Sequence, residues 1–294
     1  PGSPYYTGPG DEPGPGNTAS CNNIYSNTEG VRNWDTTQTF LAENNWWGHS
    51  SGPYHPTLNP SGTGNAVSHY VDFDPWLKAL QFQSTSSSIV PINSPATLTV
   101  RLMDNHDQGV PSKTITFSSD PAGLSFTNVV NPTSATGYAT VTTTSTTAGV
   151  YTVTATVCGA ISDTWTLVFY DPAGMTAGGG WYNPIGDDGF SYDPASRASF
   201  GFVAKYIKGK ATGNLEFQYQ AGDINLKSTS ITWLVVSGSN AQFKGTATLN
   251  GESGYYFRVI AKDNGEPGVG KDWFLIKIWY GDPDLDGTLI HSSH

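Results

Sequence analysis

The chain has 294 residues, enough for about two or three domains, and only 13% of them are charged, while Gly and Pro number 34 and 19. That balance favours strands and turns over helices. The 13% share of aromatic residues is too high for a disordered chain, so packed cores are expected.

Residues 1–180 carry four basic groups against twelve acidic ones, most of the net charge of −10. No basic patch is present to hold a phosphate backbone, which excludes nucleic acid as an expected partner. No apolar run approaches the ~20 residues of a membrane span. The start at Pro1-Gly2-Ser3-Pro4 has no signal-peptide pattern, so the sequence reads as a mature or trimmed product. Its two cysteines, Cys21 and Cys158, lie far apart in what read as different domains. They exclude a small disulfide-stapled fold and leave open both the compartment and whether the two are bridged.

Residues 1–18 are too rich in Pro and Gly for a helix or a central strand. They read as a flexible tail or as an extended arm whose Tyr5 and Tyr6 dock on a neighbour. Residues 19–80 begin as short apolar pieces between Asn-rich corners: Asn23-Ile24-Tyr25, Gly30-Val31, Thr39-Phe40-Leu41-Ala42 and Asn45-Trp46-Trp47. Such pieces at near-regular spacing predict stacked coils. Two adjacent Trp put one indole on each side of a strand, so at least one must be buried.

NNWWG at 44–48, SGPYHP at 51–56, NPSGTGNAVS at 59–68 and VDFDPWL at 71–77 resemble the C-terminal end of right-handed parallel β-helices of bacterial and archaeal surface proteins. The resemblance implies that two or three coils end here and that their upstream face is an open edge. Tyr5, Tyr6, Ile24, Tyr25, Val31 and Phe40 are the expected partner-facing residues, contacting another copy of the chain or the upstream part of a longer β-helix.

Residues 81–90 read as a Ser-rich linker. Residues 91–172 then alternate strictly, with turns at sandwich spacing. LTVRLMDNHDQGVPSKTITFSS and SATGYATVTTTSTTAGVYTVTATV resemble the bacterial Ig-like repeats of invasin-type adhesins, which implies a spacer or binding module without catalysis. Residues 173–180, AGMTAGGG, read as a second hinge. From 181 to 294 one dense β domain follows, with Ala198, Phe200, Phe202, Ala204 and Tyr206 on one face and Trp273–Tyr280 as a central strand. FGFVAKY and AKDNGEPGVGKDWFLIKIW resemble the post-COAP domain, which implies attachment to a secreted surface protein.

Catalytic signatures are missing: there is no nucleophile elbow, His-Glu-x-x-His, phosphate loop or Cys-x-x-Cys. His49, His55 and His69 with Asp72 and Asp74 could make a zinc or lyase site, against the plainer reading of loop residues capping a coil. Asp282, Asp284 and Asp286 before Gly287 match the opening of a calcium loop, and Asp263, Glu266 and Asp272 form a second candidate. No cofactor is expected beyond a calcium ion at one of these two positions. Trp46, Trp47, Tyr54 and Trp76 are candidates for sugar stacking, with cap packing as the alternative.

The expected fold is all-β: short parallel β-helix coils, an Ig-like β-sandwich and a C-terminal antiparallel β-sandwich. The expected function is a non-catalytic extracellular or cell-surface structural and adhesion subunit, assembling head to tail through the open edge and the arm. A C-terminal fragment of a polysaccharide-degrading β-helix enzyme and a carbohydrate-binding accessory module are the alternatives. Residues 19–48 hold only Glu29, Asp35 and Glu43 as carboxylates, with no period-two pair for glycoside chemistry.

Overall fold

A computed structural model describes residues 5–6, 18–186, 190, 196–265 and 271–294. Among them the elements are strands, apart from one 3-10 turn at Gln220–Gly222. The chain divides into two compact units. The first comprises Pro1–Ser87, Pro95–Thr143 and Thr152–Trp165; the second comprises Ser88–Ser94, Thr144–Tyr151 and Thr166–His294.

The first unit opens with four two-residue strands, β1 (Tyr5–Tyr6), β2 (Val31–Arg32), β3 (Phe40–Leu41) and β4 (Val71–Asp72). All pair in parallel. Tyr5 lies opposite Val31, and Phe40 opposite Val71. Single parallel bridges join Thr18 to Leu41, Asn23 to Trp46 and Val31 to Val67.

Asparagine explains how pairs so short hold together. Asn45 is fully buried, and its Nδ2 donates to the carbonyls of Ala19 and Ala42, each at 2.7 Å. Its Oδ1 accepts from the Asn22 backbone at 2.9 Å. One side chain therefore supplies at the corner the partners that a strand would supply along its length. Beneath it, Ile24, Val31, Ala42, Trp47, Val67, Val71 and Phe73 form one buried cluster.

An eight-stranded sandwich follows, made of β5 (Leu77–Phe82), β6 (Ile89–Pro91), β7 (Ala96–Asp104), β8 (Ile115–Asp120), β9 (Thr127–Val130), β10 (Tyr138–Thr143), β11 (Gly149–Val157) and β12 (Ile161–Tyr170). The sheets are ordered β5-β7-β10-β9 and β6-β12-β11-β8. Ala96, Leu98, Val100 and Leu102 of β7 are fully buried, the period-two signature of a half-buried strand.

The segment read as a linker carries structure. β5 pairs antiparallel with β7, and β6 pairs in parallel with β12. Serine composition hid them, because both are edge strands. Their few apolar side chains, Leu77, Leu80 and Val90, are nonetheless buried.

The second unit contains β13 (Met175–Tyr182), β14 (Ala198–Ile207), β15 (Lys210–Tyr219), β16 (Ile224–Ser237), β17 (Asn240–Leu249), β18 (Glu252–Lys262), β19 (Trp273–Tyr280) and β20 (Thr288–Ser293). They form one antiparallel sheet in sequence order, not the two packed sheets of the expected sandwich. The segment after β13 meets β20: Ile185 N donates to His294 O at 2.9 Å, and His294 N donates to Ile185 O at 3.2 Å. That exchange joins the segment after β13 to the end of β20, while β13 and β20 stay the two ends of the hydrogen-bonded order. Register shifts in β16, between Ser228 and Ser230 and between Ile231 and Trp233, bend the strand.

One face is filled by Phe202, Phe217, Phe243, Phe257, Phe274 and Ile276 with their neighbours. The glycine run read as a hinge lies inside β13, paired along its whole length with β14. Its composition answers to aromatic cover. A Cβ at Gly178 would stand 2.8 Å from the Phe202 ring, so only glycine lets that ring lie across the neighbouring strand.

Within the same interior His291 is 2% exposed, with Nε2 at 3.0 Å from Ser293 Oγ. Burial pushes the imidazole down to about 4. The folded state therefore holds His291 neutral where the unfolded chain, at about 6.5, takes up a proton. The stability this confers is whole above pH 6.5 and is lost as pH falls towards 4. Urea unfolding of wild type and His291→Gln across that window is expected to show a wild-type-only loss of about 3 kcal/mol. Parallel pH profiles would contradict the assignment.

Candidate functional site

The Asn44–Gly48 corner sets the geometry of the first unit. Asn44 takes a φ of 56° and Gly48 one of 87°, left-handed values that turn the chain sharply at both ends of the Trp pair. The two indoles then part. Trp47 is fully buried in the cluster under the paired strands, and Trp46 packs against the sandwich core that includes Leu77 and Leu80. Trp76 lies over Gly52 and donates Nε1–H to the Ser50 carbonyl at 3.0 Å. Of the four residues expected to stack sugars, Tyr54 alone is largely exposed, at 44%. The other three do not form a platform with it, because each indole is used for packing.

The expected partner-facing residues also divide. Ile24 and Val31 are buried, Phe40 packs against the same cluster and Tyr25 is exposed. Tyr5 and Tyr6 lie in β1, paired with Val31 and Arg32 of their own chain. The rest of the arm, 1–4 and 7–17, lies outside the described residues.

Only two of the histidine group come together. The rings of His55 and His69 meet edge to face at 4.9 Å. Burial, then the neighbouring His69, lower the His55 pKa. Its Nδ1 accepts from the Leu58 backbone at 3.0 Å, which leaves the proton on Nε2. His49 instead pairs with Ser51 at 2.8 Å, and Asp74 with His106 at 2.9 Å. Two of the three carboxylates in 19–48 are likewise committed. Glu29 holds Arg32 at 2.6 Å, and Asp35 accepts from Thr37 N at 2.7 Å.

At the calcium candidate the curl forms, with Gly287 N donating to Asp282 O at 2.9 Å. The cation it faces is a lysine. Lys244, with its side chain 6% exposed, places Nζ 2.7 Å from Asp282 and 2.5 Å from Asp284. A divalent ion would have to displace a buried ammonium there. Asp286 stands exposed. In the second candidate Asp263 accepts from Gly265 N at 2.8 Å and Asp272 from Asn264 N at 3.0 Å, while Glu266 lies outside the described residues. Among the described residues no group of three His, Cys, Asp or Glu is placed to hold a metal ion.

Two features had no sequence signal strong enough to find them. Cys21 and Cys158 form a disulfide across a separation of 137 residues. Beside it Asn23 Nδ2 donates to Gly159 O at 3.2 Å and Lys113 Nζ to Ser20 Oγ at 2.8 Å. A shared feature was the one available clue: both cysteines directly precede or follow Asn- or Gly-rich corners. The other is a groove of about 420 Å³ along the Trp47 corner, lined among others by Tyr25, Asn27, Tyr54 and Asn65.

With this geometry the class of the middle module is defined. Residues 93–170 match the family described as Bacterial Ig-like domain (group 1), so this stretch is a bacterial Ig-like domain. Among solved structures, domains 4 and 5 of the S-layer protein SbsC are similar at 20% identity and a TM-score of 0.28, covering 34% of this chain and 55% of that one. Domains 4–9 of the same protein give 18% identity and a TM-score of 0.30, covering 75% and 32%. The Yersinia pseudotuberculosis adhesin InvE gives 15% identity and a TM-score of 0.26, covering 72% and 58%. The chain thus spans about half of the first SbsC fragment and a third of the second. No curated protein matches it.

Proposed function

We propose that the chain is a non-catalytic extracellular or cell-surface structural and adhesion subunit that assembles head to tail. The paired coil segment is the C-terminal end of a right-handed parallel β-helix, and the eight-stranded sheet is a post-COAP-type module. A bacterial Ig-like domain and a disulfide, a bond that persists in oxidising compartments, both support this placement.

One observation carries the assembly reading. β1 lies in parallel on β2, so the arm adds a rung to the end of the stack. A second copy's arm can supply the same rung, because strand addition is read by backbone groups common to every copy. Contacts of that head-to-tail kind do not close and extend into fibres.

Light scattering with negative-stain microscopy tests this on the whole chain and on a chain lacking residues 1–18. Concentration-dependent linear oligomers are expected from the first and monomers from the second. Monomers from both, at all concentrations, would overturn the assembly reading.

A further inference from the structure

The loop at 55–59 is fastened by one imidazole. His55 is 1% exposed, and its Nδ1 accepts from Leu58 N at 3.0 Å and from Thr57 N at 3.3 Å. Backbone N–H groups can only donate, so Nδ1 must keep its lone pair and the ring must be neutral. The loop backbone closes beside it: His55 N donates to Asn59 O at 3.2 Å, and Asn59 N to His55 O at 3.1 Å. Asn59 is tied down separately, its Nδ2 donating to Ser51 O and Pro53 O at 2.8 Å each. Pro56, Thr57 and Leu58 are all exposed, so no buried side chain of theirs holds the turn. Packed on the His55 ring are Phe73, 4% exposed, at a ring separation of 6.0 Å, and His69 at 4.9 Å.

Nothing around the ring favours its charged form. Glu29, Arg32 and Tyr70 share with His55 and His69 a groove of about 450 Å³, and Glu29 is held by Arg32 at 2.6 Å. Asp72 and Asp74 flank Phe73 in the chain, and Asp74 pairs with His106 at 2.9 Å. Among the described residues no carboxylate is hydrogen-bonded to His55, and its Nε2 has no partner. Burial, then His69, lower its pKa. A protonated ring carries N–H on both nitrogens, so Nδ1–H would face two backbone donors that have lost their acceptor. We propose that the 55–59 loop is an acid-released latch: a proton taken up at His55 Nδ1 breaks its bonds to Thr57 and Leu58, frees the turn and uncovers Phe73. The closed loop holds His55 neutral, while an open loop leaves it at the ordinary 6.5. Closure is therefore strongest above pH 6.5 and weakens as pH falls, the open fraction rising by up to about tenfold per pH unit. This response stands whether or not the chains assemble.

Hydrogen exchange of the whole chain between about pH 7.5 and 4.5 tests it, read at the Thr57 and Leu58 amides and corrected for the intrinsic pH dependence of exchange. Their protection is expected to hold down to pH 6.5 and then to fall by up to about tenfold per pH unit. The amides of Leu98 and Val100, buried in β7, should stay protected throughout, which marks the opening as local. His55→Gln should give a flat profile at Thr57 and Leu58, and His69→Gln should keep the fall, because burial is the larger cause. A readout that needs no variant is the long-range proton–nitrogen spectrum of the wild-type histidines, which should show His55 with its proton on Nε2 at pH 7.5. A pH-independent protection at Thr57 and Leu58, an equal fall in His55→Gln, or a proton on Nδ1 at pH 7.5 would each overturn the proposal. So would a parallel loss at Leu98 and Val100, which would show unfolding of the sandwich in place of a released loop.

Discussion

Replacing Cys21 and Cys158 by serine is expected to destabilise the first unit by about 5 kcal/mol. The bond closes a loop across a separation of 137 residues, and the chain entropy denied to the unfolded state grows with the logarithm of loop length. Both ends of the bond lie in that unit. At about 2–4 °C per kcal/mol for a domain of this size, its melting transition should fall by roughly 10–20 °C. Scanning calorimetry of the double variant, and of wild type with and without dithiothreitol, measures this. A first transition that moves by less than a few degrees would show that the neighbouring Asn23 and Lys113 hydrogen bonds already hold the two regions together.

Trp47→Ala is the second large effect. The side chain is fully buried, and the cluster around it has seven buried members, so a single indole is a large fraction of that core. Truncating a buried Trp costs about 3–5 kcal/mol through lost burial and the cavity left behind. Urea titration followed by circular dichroism should show a lower midpoint at unchanged slope. Tyr54→Ala, removing an exposed ring nearby, should stay within about 0.5 kcal/mol of wild type. Equal losses in the two variants would mean that the corner is held by its backbone bonds and not by the buried indole.

Much of the β content was legible because period-two alternation is local. Ala96 to Leu102 and Ala198 to Tyr206 face as their spacing implies. Composition misled where it stood in for pattern. Residues 81–90 read as a linker, yet their two ends lie in β5 and β6, and glycines at 178–180 read as a hinge, yet they lie in a paired strand. What stayed out of reach was long-range pairing. Ile185 finds His294, and Lys244 finds carboxylates 38 and 40 residues away. Nothing local marks such partners. The Trp pair was half legible: opposite faces follow from the strand, but which indole would be sealed depended on what packed on either side.

The disulfide also decides how the molecule carries load. A pull on the two chain ends reaches Cys21, crosses one covalent bond and leaves at Cys158. Everything between them, the Trp47 corner and its groove and most of the Ig-like sandwich, sits in a slack loop that tension bypasses. β12 and the strands from β13 to β20 follow Cys158 and lie in the loaded path. The bond thus takes the Trp47 corner out of the loaded path.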